Sequence, residues 1–294
     1  MRAVVFDRYG PPDVLRIAEL PDPEPGPGEV LIEAYAAGVQ PFDIAVRTGA
    51  MPWVKAHFPQ QIGQEYAGVV VRGDGFEPGT PVLGSTMLKA VAGLLTVPAS
   101  DVVVKPDHLD FPVAAGLVAA SQTASGALLE IGVSAGDVLL VHAAAGSVGT
   151  IATQLARRAG ATVIGTARPE NHDYLRELGA VPVAYGNDLV AAVRATGLAP
   201  TVALDAAGGE AIAQSVELGI PGDRVGTIVD DKAAAEHGAR VVRAGRSPQR
   251  LAEVIAVPGL RMPIRMFPWE RIADAHRVVE SRRGPGKVVV TIGR

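Results

Sequence analysis

The chain has 294 residues, with 27 basic against 31 acidic side chains, a formal net charge of −4 and no cysteine. At roughly 100–200 residues per domain, that length points to two domains. The near balance of charge argues against a nucleic-acid-binding surface, and the missing thiols exclude disulfides, cysteine nucleophiles and thiolate metal sites. A hydrophobic share of 48% suffices for extended cores. The N-terminal MRAVVFDRYG lacks an apolar signal core. The longest small-and-apolar run, residues 111–120, contains Pro112 and falls short of the roughly 20 residues a membrane helix needs. The expectation is a soluble, cytoplasmic protein with no membrane and no nucleic-acid partner.

Residues 1–110 read as β-rich. Ala3–Phe6, Val14–Leu20, Glu29–Tyr35 and Ala67–Arg72 are strand-like, separated by the turn signals Tyr9-Gly10-Pro11-Pro12 and PDPEPGPG at 21–28. From about residue 114 strands alternate with helices. Asp137–His142 has the near-continuous apolar character of a strand buried on both faces. Val148, Ile151, Ala152, Leu155, Ala156 and Ala159 follow helical spacing, and Gly160 stops that helix. Strand Thr162–Ala167, helix Glu170–Leu178, strand Val181–Ala184, helix Asn187–Thr196 and strands Thr201–Asp205 and Arg224–Val229 follow. This alternation implies right-handed crossovers and a doubly wound parallel sheet. A helix over Trp269–Arg282 and a strand over Lys287–Ile292 close the chain.

The turn after the first of these strands reads Ala144-Ala145-Gly146-Ser147-Val148-Gly149. It fits the dinucleotide fingerprint G-x-G-x-x-G except at its first position. The second glycine lets backbone approach a pyrophosphate and the third lets the helix pack close to the strand. Amide N–H groups at the helix start then face an anion. Taken alone, the stretch also fits a ligand-free turn of small residues. About 20 residues on, an NAD site carries an acid that binds the ribose, whereas an NADP site carries a basic group. Here that strand ends in Arg168, whose planar fork of donors suits a phosphate dianion.

With these residues in view the chain resembles the zinc-free quinone oxidoreductase branch of the medium-chain dehydrogenase/reductase superfamily. The resemblance rests on ordered motifs: RYGPPDVLRIAELPDPEPGPGEVLIEAYAAGV, GQEYAGVV, VHAAAGSVGTIATQLA, LDAAGG and AHRVVESRRGPGKVVV. It implies an α/β fold: a GroES-like β-rich catalytic domain over 1–113 and 254–294, and an inserted Rossmann NADP-binding domain over 114–253. Gln40 and Gln64 stand where zinc-dependent members hold catalytic metal ligands, with Ala119 at a third, less certainly aligned position. No metal site of that type is expected. The resemblance places Thr123 against a nicotinamide, Tyr185 near an adenosine 2′-phosphate and Lys287 near the pyrophosphate, alongside Ala144–Gly149 and Arg168. The cleft tyrosines of some members correspond to Ala45 and Met51, with Trp53 and Phe58 as other walls of a pocket or as core. The six histidines form no metal-like cluster, and His142 and His276 are expected to be structural.

The resemblance implies NADPH-dependent hydride transfer to a quinone or an α,β-unsaturated carbonyl, with Gln40 and Gln64 as hydrogen-bonding groups for the substrate oxygen. It also implies a homodimer joined near the strand Arg224–Val229. The alternatives at this stage are a non-catalytic NADPH-binding protein, a sensor or crystallin-like, and an enoyl-thioester reductase.

Overall fold

The computed structural model describes residues 1–243 and 245–293. The elements run β1 (Arg2–Phe6), β2 (Leu15–Glu19), β3 (Glu29–Val39), α1 (Pro41–Thr48), β4 (Gln60–Gln61), β5 (Glu65–Gly73), β6 (Pro81–Ser85), β7 (Leu94–Pro98), β8 (Val102–Val104) and α2 (Phe111–Glu130). An alternating stretch follows: β9 (Val138–His142), α3 (Ser147–Arg158), β10 (Thr162–Ala167), α4 (His172–Glu177), β11 (Val181–Ala184), α5 (Leu189–Ala195), β12 (Val202–Asp205), α6 (Ala211–Glu217), β13 (Val225–Thr227), α7 (Asp231–His237), β14 (Arg240–Val241) and α8 (Pro248–Ile255). The chain closes with β15 (Ile264–Pro268), α9 (Ile272–Ser281) and β16 (Lys287–Thr291).

These elements form two compact units, and the chain passes from the first to the second within α2. The first comprises Met1–Ala119, Pro263–Arg283 and Lys287–Arg294; the second comprises Ala120–Met262 and Gly284–Gly286. The fold is a GroES-like β-rich domain plus a Rossmann-like parallel sheet, as the resemblance implies.

In the first unit β2-β1-β4 form a small sheet and β15-β16-β3-β5-β6-β8 form a larger one, in which β7 also pairs with β3. The long β3 shifts register against β5 between Leu31 and Ile32 and again between Ala34 and Ala36. Such bulges bend a strand, and β3 pairs with β5, β7 and β16 along its length. Phe6, Ile32, Ile62, Tyr66, Leu95 and Trp269 anchor the core under these sheets. The C-terminal strand β16 lies antiparallel on β3, Val290 opposite Ala37, so residues far apart in sequence share one sheet.

In the second unit six parallel strands run in the order β11-β10-β9-β12-β13-β14. The order reverses between β9 and β12. In an open α/β sheet a ligand binds at such a switch point, outside the carboxyl ends of the strands. Those ends carry His142 and Asp205, directly opposite one another. Leu140, Ile164, Val183, Ala203 and Val225 fill the sheet's core, covered by Leu189, Val193 and Ile212 from the helices.

Several expectations are corrected. The apolar run at 111–120 extends into the 20-residue α2, which is long and apolar enough by length and composition to cross a membrane, yet 78% of its most apolar window is buried within the protein. Pro112 lies in its first turn, where the missing N–H costs nothing. The strand expected over Arg224–Val229 shortens to β13, preceded by a single turn at Gly222–Arg224. β13 is an inner strand of the sheet, because β14 pairs with it on its outer side. Helices α1, α7 and α8 were not legible as periodic stretches.

Gly149 shows how tightly the second unit is built. A Cβ added there would stand 2.4 Å from the carbonyl oxygen of Ala143 and 2.6 Å from Cα of Ala144. Both are backbone atoms and cannot swing aside. Gly149→Ala should therefore lower stability by about 1–3 kcal/mol, the usual range for overpacking. An unchanged urea midpoint would show that the close approach is unimportant.

Candidate active site

The turn between β9 and α3 is held from behind by β10. The amides of Ala143 and Ala144 donate to the hydroxyl and carbonyl oxygens of Thr166, at 3.1 and 3.0 Å. Gly146 N–H closes the turn onto the Ala143 carbonyl at 2.9 Å. The left-handed residue is Ala143, with φ +57°, so the strain sits one position before the missing glycine. Ala144, at the first fingerprint position, has no positive φ and tolerates its methyl. Gly146 is extended and no side chain caps α3. The first N–H groups of an α-helix have no intrahelical partner. Those of Ser147, Val148 and Gly149 therefore lie outside the helix's own ladder, at the positive end of the helix dipole, an arrangement compatible with an anion. On its other side the turn is fixed by Gly286, whose N–H donates to the Ala145 carbonyl at 2.9 Å.

The neighbouring strands supply a second phosphate-compatible feature. Arg168, directly after β10, donates from Nε to the Tyr185 hydroxyl at 3.0 Å. Tyr185, just beyond β11, is exposed. The two residues lie 17 positions apart and meet because β10 and β11 are parallel neighbours. A guanidinium beside a phenol offers several donors to one phosphate group. The donor set of turn amides, arginine and phenol thus fits a phosphorylated dinucleotide, and the close approach at Gly149 is the packing such a turn needs.

Thr123, on α2, is buried, and its hydroxyl accepts from Nε and Nη2 of Arg246 at 3.2 and 3.0 Å. That partner was invisible in the sequence. Beneath the turn, Asp205 accepts from the amides of Ala207 and Gly208, both at 2.8 Å, and from the Thr227 hydroxyl at 2.7 Å. The aspartate of the LDAAGG motif therefore shapes the loop after β12. His142 pairs with the Ser215 hydroxyl at 2.8 Å. Burial pushes its imidazole down to about 4, so it is a neutral structural residue at neutral pH.

The first unit gathers a polar group around the start of α1. Gln40 precedes Pro41, and Gln40 and Asp43 form a reciprocal capping box. Gln40 N–H donates to Asp43 Oδ2 at 2.9 Å, and Gln40 Nε2 donates to Gln64 Oε1 at 2.7 Å. Next to Gln64, the fully buried Glu65 accepts from Lys287 Nζ and, at 2.9 Å, from the Ala119 amide. This corrects the expectation for Lys287. Its ammonium is buried in an ion pair within this unit and is neutralised there, so it is not available to a pyrophosphate. Asp43 was overlooked, although Pro41 at a first helical position with an acid two residues on is a helix-start signal. Burial pushes its carboxyl up to about 7, against smaller opposing effects from hydrogen bonding and Lys287. Trp53 is 64% exposed and leans on Phe42, whereas Phe58 packs edge-on against Phe6 and Tyr9. Among the described residues no three His, Asp or Glu side chains cluster as a metal site would require.

Comparison with known proteins places this geometry. Residues 26–107 match the alcohol dehydrogenase GroES-like domain, and residues 147–229 match the family described as zinc-binding dehydrogenase. The chain is 35% identical, over 94% of its length, to the pikromycin polyketide synthase component PikAII of Streptomyces venezuelae, of which it spans only 8%. It is 29% identical to the chloroplastic NADPH-dependent alkenal/one oxidoreductase of Arabidopsis thaliana, covering 99% of this chain and 79% of that protein. The quinone oxidoreductase of Coxiella burnetii superimposes with a TM-score of 0.88 at 28% identity, covering 100% of this chain and 99% of that one.

Asp43 gives a pH test. A carboxyl raised from 3.8 to about 7 keeps its proton in the folded chain while the unfolded chain releases it. Its contribution to stability is therefore present at acid pH and lost as pH rises through that window. His142 and His276, pushed down by burial to about 4 and about 3, act with the opposite sign, so a single substitution must isolate the effect. Asp43→Asn keeps the cap acceptor and cannot ionise. Between pH 4.5 and 7 the stability of wild type relative to this variant should fall by a few kcal/mol, at about 1.4 kcal/mol per pKa unit. A difference that does not change with pH, read from urea midpoints, would contradict it.

Proposed function

The chain belongs to the quinone oxidoreductase-like branch of the medium-chain dehydrogenase/reductase family, and on that premise we propose that it is an NADPH-dependent reductase of quinones or α,β-unsaturated carbonyls that works without zinc. The observation that carries this reading is the contact of Arg168 Nε with the Tyr185 hydroxyl at 3.0 Å, beside the uncapped start of α3. That pair suits the 2′-phosphate that distinguishes NADPH from NADH.

Bound NADPH supplies the hydride. The chain's own residues bind and orient. The amides of Ser147, Val148 and Gly149 receive the pyrophosphate, Arg168 and Tyr185 the 2′-phosphate, and Thr123, braced by Arg246, packs against the nicotinamide. In this reading residues 114–253 hold the cofactor, while residues 1–113 and 254–294 supply the groups that meet the acceptor. As the acceptor is reduced, negative charge grows on its oxygen, and amide N–H donors aimed at that oxygen lower the barrier. Gln40 and Gln64 are the candidates. An amide does not release a proton at neutral pH, so the proton that completes the reaction comes from water.

The zinc-free reading follows from the donor set. Two glutamine amides stand where a zinc site would need thiolate or imidazole ligands, and the chain has no cysteine. A homodimer formed by edge-to-edge pairing of the parallel sheet would use β11 or β14, the outermost strands of that sheet among the described residues.

Two experiments test the proposal. Arg168→Ala should weaken NADPH binding by about one to two decades, the equivalent of a charge-assisted contact of roughly 1.5–3 kcal/mol, and leave NADH nearly unaffected. Equal losses for both cofactors would remove Arg168 from the phosphate site. NADPH oxidation should proceed with 1,4-benzoquinone or a simple enone. Turnover of an enoyl thioester alone would make the protein an enoyl-thioester reductase, and tight NADPH binding without any turnover would leave a non-catalytic binding protein.

A further inference from the structure

We infer that Gln40 and Gln64 form a polarised amide relay, in which Gln64 alone presents an N–H donor to the acceptor oxygen and Gln40 fixes the direction in which that amide faces. The inference rests on the reductase reading above and divides unequally two residues that it treats alike.

The two ends of a glutamine amide have nearly the same shape, so only hydrogen bonds decide which end points where. At the start of α1 the decision is made by backbone. Within the capping box the Asp43 N–H is shared between the Gln40 carbonyl, at 3.0 Å, and the Gln40 side chain, while Asp43 Oδ2 takes the Gln40 N–H at 2.9 Å. With its Oε1 so engaged, Gln40 turns Nε2 towards Gln64 Oε1, 2.7 Å away. That bond uses the acceptor end of Gln64 and leaves its NH2 facing outward. The partner there is Met87 Sδ at 3.6 Å, a weak acceptor on an exposed side chain. An incoming carbonyl oxygen displaces such a partner at little cost. Gln40 itself is only 9% exposed, whereas Gln64 is half-buried. The inner amide is thus a positioning residue and the outer one makes the contact.

Direction matters because the acceptor oxygen becomes negative during reduction. An outward N–H lowers its energy, and an outward carbonyl raises it. The ionisable groups nearby are Asp43, beneath Gln40, and the buried Glu65–Lys287 pair beside Gln64. None of them offers an outward donor in place of Gln64.

Gln40→Glu tests the relay, because it puts an acceptor where Nε2 stood and draws the Gln64 NH2 inward. At pH 8 the kcat/KM for 1,4-benzoquinone should fall by about 10- to 100-fold, within reach of a lost transition-state donor, while the Kd for NADPH stays unchanged. The activity ratio of Gln40→Glu to wild type should then recover as pH falls, because the introduced carboxyl, once protonated, donates to Gln64 Oε1 again. Equal activity, or a loss that does not change with pH, would overturn the relay. If that variant does not fold, Gln40→Leu decides. It removes the donor without adding an acceptor and should cost about 3- to 10-fold, roughly one ordinary hydrogen bond; no loss overturns the relay. If wild type turns over no acceptor, the reductase reading fails separately, and the side-chain NH2 signals of Gln64 still decide the relay. Identified by their absence in Gln64→Glu, they should shift between wild type and Gln40→Glu, and unshifted signals would overturn it.

Discussion

A carboxylate with no exposure to water must be neutralised inside the fold, and Glu65 is the point on which the first unit turns. Its two oxygens take the Lys287 ammonium and the Ala119 amide, and so join β5, β16 and α2. Removing one partner of such a pair leaves a buried charge uncompensated, a strongly destabilising change. The pair also sets the electrostatics of its surroundings. Asp43 lies near both charges, and its burial outweighs the help from Lys287. Gln64 immediately precedes β5, and its Oε1 lies 2.7 Å from Gln40 Nε2. The polar cluster is therefore one construction, anchored at a buried ion pair and ending in an amide that faces outward.

The second unit meets a different constraint, the close passage of backbone over backbone at Gly149. No side chain fits between α3 and the Ala143 carbonyl. The helix start is consequently pressed against the strand end, and its unpaired amides face the switch point of the sheet. Asp205 and Thr227 brace the next loop from below with buried hydrogen bonds. Because the turn is backed by Thr166 and flanked by Gly286, its shape does not depend on any one side chain reaching into the ligand's space. Preorganisation of this kind is what lets dipoles act on a charge without first rearranging.

Much of this was legible in sequence because the second unit is built from local repeats of strand and helix. Asp137–His142 and Thr162–Ala167 read as buried strands because both faces are covered, and glycines mark the helix ends between them. Arg168 could be found by counting along the chain, since a βαβ unit fixes its distance from the turn. The first unit hid more. Its strands carry bulges, its α1 begins in an irregular run, and its decisive contacts join distant residues. Lys287 and Glu65 are 222 positions apart, so no local pattern could show that the lysine's charge was already balanced. Arg246 was missed for the same reason, being 123 positions from Thr123. The two-residue β14, which turns β13 into an inner strand, is too short to carry a period.

In the proposed function the second unit recognises a nucleotide by its phosphates, the 2′-phosphate above all. The most direct test is the affinity of the unliganded protein for adenosine 2′,5′-bisphosphate against AMP, measured by calorimetry at one ionic strength. The extra phosphate should tighten binding by at least about ten-fold, the equivalent of one charge-assisted contact. Equal affinities for the two nucleotides would contradict it.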